Sequence, residues 1–174
     1  ACKLNDIAFI QPVNSEGKFT QEVKDFQESI TKKLVTTHDD GSINVNRDYF
    51  NYETGLTMVN KKKWAELFGF ERRLPEARIE QYHCNLALAI QKVTETIVVN
   101  MAREVKKLTG SKNLCMAGGV ALNCVANSRI YEENIFNAVY IQPASGDSGG
   151  ALGAALAAYH IYFNHKKREV KVFD

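Results

Sequence analysis

The sequence CMAGGVALN, residues 115–123, places two adjacent glycines at the end of a short apolar run and an asparagine four residues further on. A second sequence, QPASGDSGGALGAAL at residues 142–156, follows the strand-like run AVYIQP and combines glycines with an aspartate. In both places an apolar run of strand length passes through glycine into a segment with helical character. Strands that alternate with helices in this way predict an α/β architecture.

One long amphipathic helix is predicted before the first glycine segment. Between residues 78 and 108, apolar side chains recur every three or four positions, no proline or glycine interrupts after position 78, and Gly110 follows as a stop signal. The same spacing predicts a helix over residues 20–34. Its apolar face consists of Val23, Phe26, Ile30 and Leu34.

The remaining first third of the chain is less regular. Residues 42–52 follow a DDG turn and predict an exposed strand, and residues 61–69 predict a short helix closed by a glycine. Residues 6–12 are typical of a short strand or a loop. A subdomain boundary is predicted near residues 70–75, FERRLP.

Composition restricts the class of protein. The chain has 174 residues, is 45% hydrophobic and 24% charged, and carries a formal net charge of +2, which predicts a globular domain with no general attraction to nucleic acid or membrane. No apolar run is long enough to span a bilayer, and no signal-peptide pattern opens the sequence. The four cysteines form no C-x-x-C pair, and three lie in segments predicted to be buried, so we expect free thiols in a reducing cytoplasm.

The glycine segments have two interpretations. Glycine at the junction of a strand and a helix serves most often as a turn or packing device. It also exposes the backbone to a ligand, next to a helix N-terminus that favours phosphate or nucleotide. Neither segment is a GxGxxG or a GxxxxGK[ST] motif. For the small residues after residue 148, close packing of the helix on a sheet is the stronger alternative.

Asp147 and His83 each have a structural and a functional interpretation. Asp147 stands just before the last helix, where an aspartate caps first-turn N–H groups or provides a metal ligand, and the cap is slightly favoured. His83 has no second histidine within helical reach, so a structural or surface role is favoured over catalysis.

The segments NLCMAGGVALNCVANSRI (residues 113–130) and VYIQPASGDSGGALGAAL (residues 139–156) closely resemble two signature segments of the O-carbamoyltransferases of nodulation-factor and antibiotic biosynthesis. HCNLALAIQ (residues 83–91) resembles the helix that precedes them, where the family usually has aspartate in place of Asn85. INVNRDYFNY and LFGFERRLPEARI also fit the family, so that the resemblance covers about residues 43–159.

The resemblance implies a ribonuclease-H-like lobe of the actin-like ATPase superfamily, with a mixed sheet flanked by helices. Residues 1–174 would form the second lobe of the catalytic domain, with an insert-like region at 1–75 and a nucleotide-binding core at 76–165. Carbamoyl phosphate and ATP would give carbamoyl-adenylate, whose carbamoyl group passes to a hydroxyl of a sugar or natural-product acceptor. The first lobe and the adenylate-forming domain of the same polypeptide would be missing, and we expect this fragment to be inactive alone.

By position, the resemblance also implies a set of site residues. Adenosine would be held by Gly118, Gly119 and Asn123, and the same pocket would be lined by Ser145, Gly146 and Ser148. Asp147 would be this lobe's ligand to a divalent metal, which is iron, magnesium or manganese. The resemblance identifies no catalytic base among these residues. The expected partners are small-molecule substrates and the missing domains, without membrane or nucleic acid.

Two alternatives remain at this point. One is another actin-like enzyme that binds ATP, such as a sugar kinase or a tRNA threonylcarbamoyl-adenosine transferase. The other is a nucleotide-binding assembly module without catalytic activity. An upstream lobe bearing an HxxxH motif in the full-length protein would favour the carbamoyltransferase.

Overall fold

A computed structural model describes residues 19–166 of the chain. They belong to two compact units that divide between Leu108 and Thr109. The division therefore lies at the end of the long helix, and the boundary predicted near residues 70–75 falls inside the first unit. Residues 6–12, predicted to form a strand or loop, lie outside the described part.

The first unit opens with a helix whose buried face follows the predicted spacing. Helix α1 spans Gln21–Ser29 and continues as a π-helical turn over Ile30–Leu34. The four predicted core residues are buried. The 3.6-residue period of the apolar side chains was therefore sufficient to predict both the helix and its inner face.

A two-stranded hairpin follows. Strand β1, Val35–Thr37, pairs antiparallel with β2, Ile43–Val45. Between them Gly41 has φ +75°. Ser42 donates hydrogen bonds to Asp40 through its hydroxyl and its backbone N–H, and the hydroxyl bond is the main cause of the lowered pKa of the Asp40 carboxyl.

The exposed strand predicted over residues 42–52 is shorter than expected. It ends at Val45, and a 3₁₀ turn occupies Arg47–Tyr49. The cause is Asn46, whose side chain accepts a hydrogen bond from the N–H of Asp48 at 3.1 Å. Asparagine thereby offers the backbone a local partner that competes with the strand ladder.

Two further helices complete the first unit. Helix α2 spans Lys61–Phe68, begins at the capping side chain of Asn60 and ends at Gly69, which has φ +81°. Helix α3 spans Gln81–Thr109 and is followed by Gly110 with φ +63°. The predicted short helix with its glycine cap and the predicted long helix are both confirmed.

Aromatic side chains join these helices in one core. The ring of Phe68 lies 5.6 Å from that of Phe26 and 5.3 Å from that of Trp64, and the ring of Phe70 lies 4.4 Å from that of Tyr82. Phe68 is 7% exposed. The core of the first unit therefore depends on contacts between α1, α2 and the start of α3.

The second unit has the predicted order of strand, helix, strand and helix. Strand β3 spans Asn113–Met116, α4 spans Cys124–Glu132, β4 spans Ala138–Ile141 and α5 spans Gly149–Ala157, with a π-helical turn over Ala158–Tyr162. Strands β3 and β4 are parallel, with Met116 opposite Ile141. The segment with helical character that follows the first pair of glycines is divided, because a 3₁₀ turn over Gly119–Leu122 precedes the cap of α4 at Asn123.

The predicted α/β class is confirmed. A single mixed sheet is not formed in residues 19–166, which contain one antiparallel and one parallel pair of strands. The assignment to an actin-like lobe stays a prediction. Within the same described range, no helix is long and apolar enough to cross a membrane.

The prediction that Cys115 and Cys124 are buried is wrong. Both are exposed free thiols, whereas Cys84 is half-buried. Along β3 exposure alternates from one residue to the next, and Cys115 lies on the open side. A strand in a two-stranded sheet can thus carry apolar residues on a face that no neighbouring element covers.

Replacing Phe68 with alanine should destabilise the first unit. The change removes ring contacts from a buried position, and we expect the free energy of unfolding to fall by about 3–5 kcal/mol. Urea denaturation of the full chain, followed by far-UV circular dichroism, measures the loss. Leu56→Ala, at a fully exposed position, is the control and should change stability by no more than about 0.5 kcal/mol. Equal losses in the two variants would contradict the prediction.

Candidate nucleotide-binding loops

The first glycine segment leaves strand β3 in a conformation that requires glycine. Gly118 has φ +102° and ψ 163°, a region of backbone space that residues with a Cβ rarely adopt. Its N–H donates a hydrogen bond of 2.7 Å to the carbonyl oxygen of Ser145. This bond ties the loop after β3 to the loop after β4.

The two loops are neighbours because their strands are parallel. Parallel strands place their carboxyl ends at the same edge of the sheet, and connections to the following helices begin there. The N–H of Gln142 also donates to the carbonyl oxygen of Met116, at 3.3 Å. The two glycine segments that the sequence places 27 residues apart, counted from Gly118 to Ser145, are thus brought together, as the alternation of strands and helices predicts.

The backbone of the first loop is open to a ligand. A Cβ added to Gly118 or Gly119 would meet no atom within 4 Å, and both residues are exposed. The N–H of Gly119 donates to no acceptor within residues 19–166. An open N–H on a glycine backbone is a suitable donor for a phosphate or a nucleotide oxygen.

Ser145 combines a tied backbone with an unpaired side chain. The residue is 6% exposed, and its Oγ is buried with no hydrogen-bond partner among the described residues. Buried hydroxyls are nearly always paired in native proteins, since an unpaired one costs about 1–3 kcal/mol. This hydroxyl therefore has hydrogen-bonding capacity that the described chain does not use.

Asp147 does not act as the side-chain cap that was slightly favoured from the sequence. The N-cap of α5 is Ser148, in helical conformation and without a side-chain cap bond. The Asp147 carboxylate is exposed and makes no hydrogen bond or ion pair with any residue of the described range, while its backbone carbonyl accepts from the N–H of Gly150 at 3.3 Å. The carboxylate is accordingly available to an external group.

Asn123 has a structural role that the sequence did not predict. Its side-chain oxygen accepts from the N–H of Ala126 at 3.1 Å and caps α4. One turn later, Asn127 donates to the carbonyl oxygen of Ala121 at 2.8 Å, and the Oδ1 of Asn127 is buried without a partner. The sequence analysis did not identify Asn127 as a residue that holds the loop. Its spacing of four residues from Asn123, which places both on one face of the helix, could have indicated this role.

The second glycine loop is closely packed at two points. A Cβ on Gly149 would come within 2.5 Å of the carbonyl oxygen of Ala144, and one on Gly146 would meet the side chain of Leu122 at 3.3 Å. Further along α5, a Cβ added to Gly150 or Gly153 would meet no atom within 4 Å. Close packing thus explains the first of the helix glycines, whereas the later two have no such contact within residues 19–166.

His83 and Asn85, in the segment before the loops, have structural partners. The Nδ1 of His83 accepts from the N–H of Glu80 at 2.9 Å, which leaves the ring proton on Nε2. Asn85 is buried, accepts from Gln81 at 2.7 Å and donates to the carboxylate of Glu22. Asn85, where the resembled family usually has aspartate, therefore links α3 to α1 by a hydrogen bond.

Comparisons with known proteins identify the family of the chain. Residues 14–156 match the family model described as carbamoyltransferase N-terminus. Because the match covers most of the sequence, the chain belongs to the carbamoyltransferase family. Both loops lie inside the matched region.

Curated relatives are much longer than this chain. An uncharacterized protein of Synechocystis sp., sll1178, is 49% identical over 138 residues, which is 79% of this chain and 22% of the relative. The nodulation protein NolO of Bradyrhizobium diazoefficiens is 42% identical over 44% of this chain and 14% of its own length. Nodulation protein U of Rhizobium tropici is 34% identical over 61% of this chain and 18% of its own length. The chain thus spans about a fifth or less of these relatives.

Alanine at the two adjacent helix glycines should have opposite effects. In Gly149→Ala the new Cβ collides with the carbonyl of Ala144, and we expect a loss of stability of about 1–3 kcal/mol. In Gly150→Ala the Cβ is accommodated, and higher helix propensity should stabilise by about 0.5–1 kcal/mol. Thermal unfolding of the full chain, followed by far-UV circular dichroism, gives both values. The same sign of change in both variants would contradict the loop geometry.

Proposed function

We propose that this chain supplies one wall of the nucleotide site of an ATP-dependent O-carbamoyltransferase. The observation that carries the proposal is the hydrogen bond from the Gly118 N–H to the Ser145 carbonyl oxygen. It joins an open glycine backbone and a free aspartate carboxylate in one pair of loops, within the residues that match the family. The family relationship supports carbamoyl transfer over the sugar kinase and tRNA-modification alternatives.

The proposed reaction has two stages. In the first stage, water releases phosphate from carbamoyl phosphate to give carbamate, and a carbamate oxygen attacks the α-phosphorus of ATP, so that carbamoyl-adenylate forms and pyrophosphate leaves. In the second stage, an acceptor hydroxyl attacks the carbamoyl carbon. A new bond forms between the acceptor oxygen and that carbon, the bond from the carbon to the AMP phosphate oxygen breaks, and AMP leaves with the bonding pair. The hydroxyl proton passes to a base, a role to which no residue of this chain is assigned. The acceptor class is a sugar or a hydroxylated natural product.

In this proposal the loops bind and orient the nucleotide. Gly118 and Gly119 expose backbone to adenosine, Asn123 contributes from the cap of α4, and the Ser145 hydroxyl offers an unused hydrogen bond. Gly146 and Ser148 complete the lining beside Asp147. Exclusion of water and a fixed orientation of the reacting group are the main gains from such binding.

The residues present fit a divalent metal only in part. Asp147 offers one carboxylate oxygen ligand, which suits iron, magnesium or manganese. Within residues 19–166 no group of three or more His, Cys, Asp or Glu side chains could hold a metal ion. Other parts of the full-length protein would provide the remaining ligands. The bound metal would neutralise negative charge on the phosphate.

Asp147→Asn should remove most of the transferase activity of the full-length protein. Amide replaces a metal-binding carboxylate, and we expect the rate of carbamoyl transfer to fall by on the order of 100-fold. Purified protein is incubated with carbamoyl phosphate, ATP and a panel of hydroxylated acceptors, and products are detected by mass spectrometry. The control is Asp39→Asn, at another exposed aspartate, which should retain wild-type activity.

Three outcomes of that assay would count against the proposal. No carbamoylated product with any acceptor, together with retained ATP binding, would favour a non-catalytic assembly module. Full activity of Asp147→Asn would remove Asp147 from the site. Turnover of carbamoyl phosphate and ATP by the 174-residue chain alone would overturn the expectation that it provides only one wall of the site.

Ser145→Ala separates binding from folding. Because the Ser145 Oγ has no partner in the described chain, its removal should leave the free energy of unfolding unchanged within about 1 kcal/mol or raise it slightly. If the hydroxyl binds the nucleotide, the dissociation constant for ATP should rise by about tenfold. Isothermal titration of the full-length protein measures the affinity, and Ser128→Ala, at an exposed serine of α4, is the control. Unchanged ATP affinity in Ser145→Ala would exclude Ser145 from the site.

A further inference from the structure

The first unit contains an open apolar cavity of about 150 Å³ beside helix α2. Its walls come from α2, the residues on either side of it, and the start of α3. The apolar lining consists of Val59, Trp64, Ala65, Phe68, Phe70 and Leu86. Concave apolar surfaces with a few polar groups at the edge are the usual form of small-molecule sites.

The walls of this cavity are held in place by contacts among the lining rings and by one hydrogen bond to a residue outside the lining. The indole N–H of Trp64 donates to the carbonyl oxygen of Tyr49 at 2.8 Å, which fixes the ring. The ring of Phe68 lies 5.3 Å from that of Trp64 and 6.5 Å from that of Phe70. A ligand would therefore enter a preformed cavity and would incur little cost in ordering side chains.

The charged residues at the cavity are unpaired. Lys61, Glu71 and Arg72 line it, are exposed, and form no ion pair with any residue from 19 to 166. The other two lysines of α2 are paired, Lys62 with Glu66 at 3.9 Å and Lys63 with Asp48 at 3.4 Å. Two cations and one carboxylate leave one net positive charge at the cavity.

We propose that this cavity binds a small aromatic anion, a single planar ring that carries a carboxylate or phosphate group. The volume of about 150 Å³ is comparable to that of apolar cavities that hold one benzene ring. The ring packs among the aromatic side chains, and the anionic group faces Lys61 and Arg72 at the edge. This site lies in the first unit and does not depend on the proposed transferase activity.

Titration of the 174-residue chain with benzoate tests the proposal, and the fluorescence of Trp64 is the signal. Trp64 is the one tryptophan in the sequence and lines the cavity. We expect saturable binding with a dissociation constant on the order of 1 mM, given the small size of the probe. Benzyl alcohol, which has the ring without the charge, should bind about fivefold more weakly because it gains no charge attraction.

Two sets of variants assign the binding to this cavity. The double variant Lys61→Gln with Arg72→Gln should weaken benzoate binding by about fivefold and leave benzyl alcohol unaffected. Lys62→Gln, on the same helix but away from the cavity lining, is the matched control and should bind benzoate as the wild type does. Ala65→Leu, which fills the cavity, should weaken both probes, and circular dichroism checks that it is folded.

Any one of three results would overturn the proposal. These are a linear, non-saturable fluorescence change, equal affinity for benzoate and benzyl alcohol, and equal effects of the double variant and the Lys62→Gln control. Absence of benzoate binding in a chain that sedimentation velocity shows to be dimeric would assign the apolar surface to a second copy instead.

Discussion

The parallel pairing of β3 with β4 is the constraint on which the candidate site depends. Because both strands run in the same direction, their carboxyl ends and the two glycine loops lie at one edge. The hydrogen bond from Gly118 to Ser145 then fixes the distance between the loops. An antiparallel arrangement of the same two strands would place the loops at opposite ends, and the open glycine backbone would have no aspartate near it.

The sequence predicted those features that follow from a repeating pattern or from topology. Helices α1 and α3 were found because apolar side chains recur along one face of a helix, and the proximity of the loops followed from strand and helix alternation. Side-chain partners could not be predicted in the same way. Asn46 and Asn123 redirect the chain through single hydrogen bonds, which leave no periodic signal.

Exposure was the property that the sequence predicted least well in the second unit. The apolar surroundings of Cys115 and Cys124 suggested burial, yet both thiols are exposed in a sheet of two strands. The local pattern of apolar residues indicates which side chains favour the protein interior, whereas their burial depends on which elements cover each face of the sheet. Capping depends on the positions of single N–H groups, and the Asp147 carboxylate, which the sequence predicts to cap α5, is without a partner in the described chain.

Helix α5 has nine residues, of which Gly149, Gly150 and Gly153 are glycine, and none of the nine is buried. Glycine disfavours helix by about 1 kcal/mol relative to alanine, and a helix this short is marginal in water without packing. The N–H groups of Gly149 and Gly150 donate to the carbonyl oxygens of Gly146 and Asp147, so the ordered state of α5 and the position of the loop before it are thermodynamically linked. A ligand that holds this loop would also favour the helix, so occupancy at one end and helicity along the whole segment would increase together.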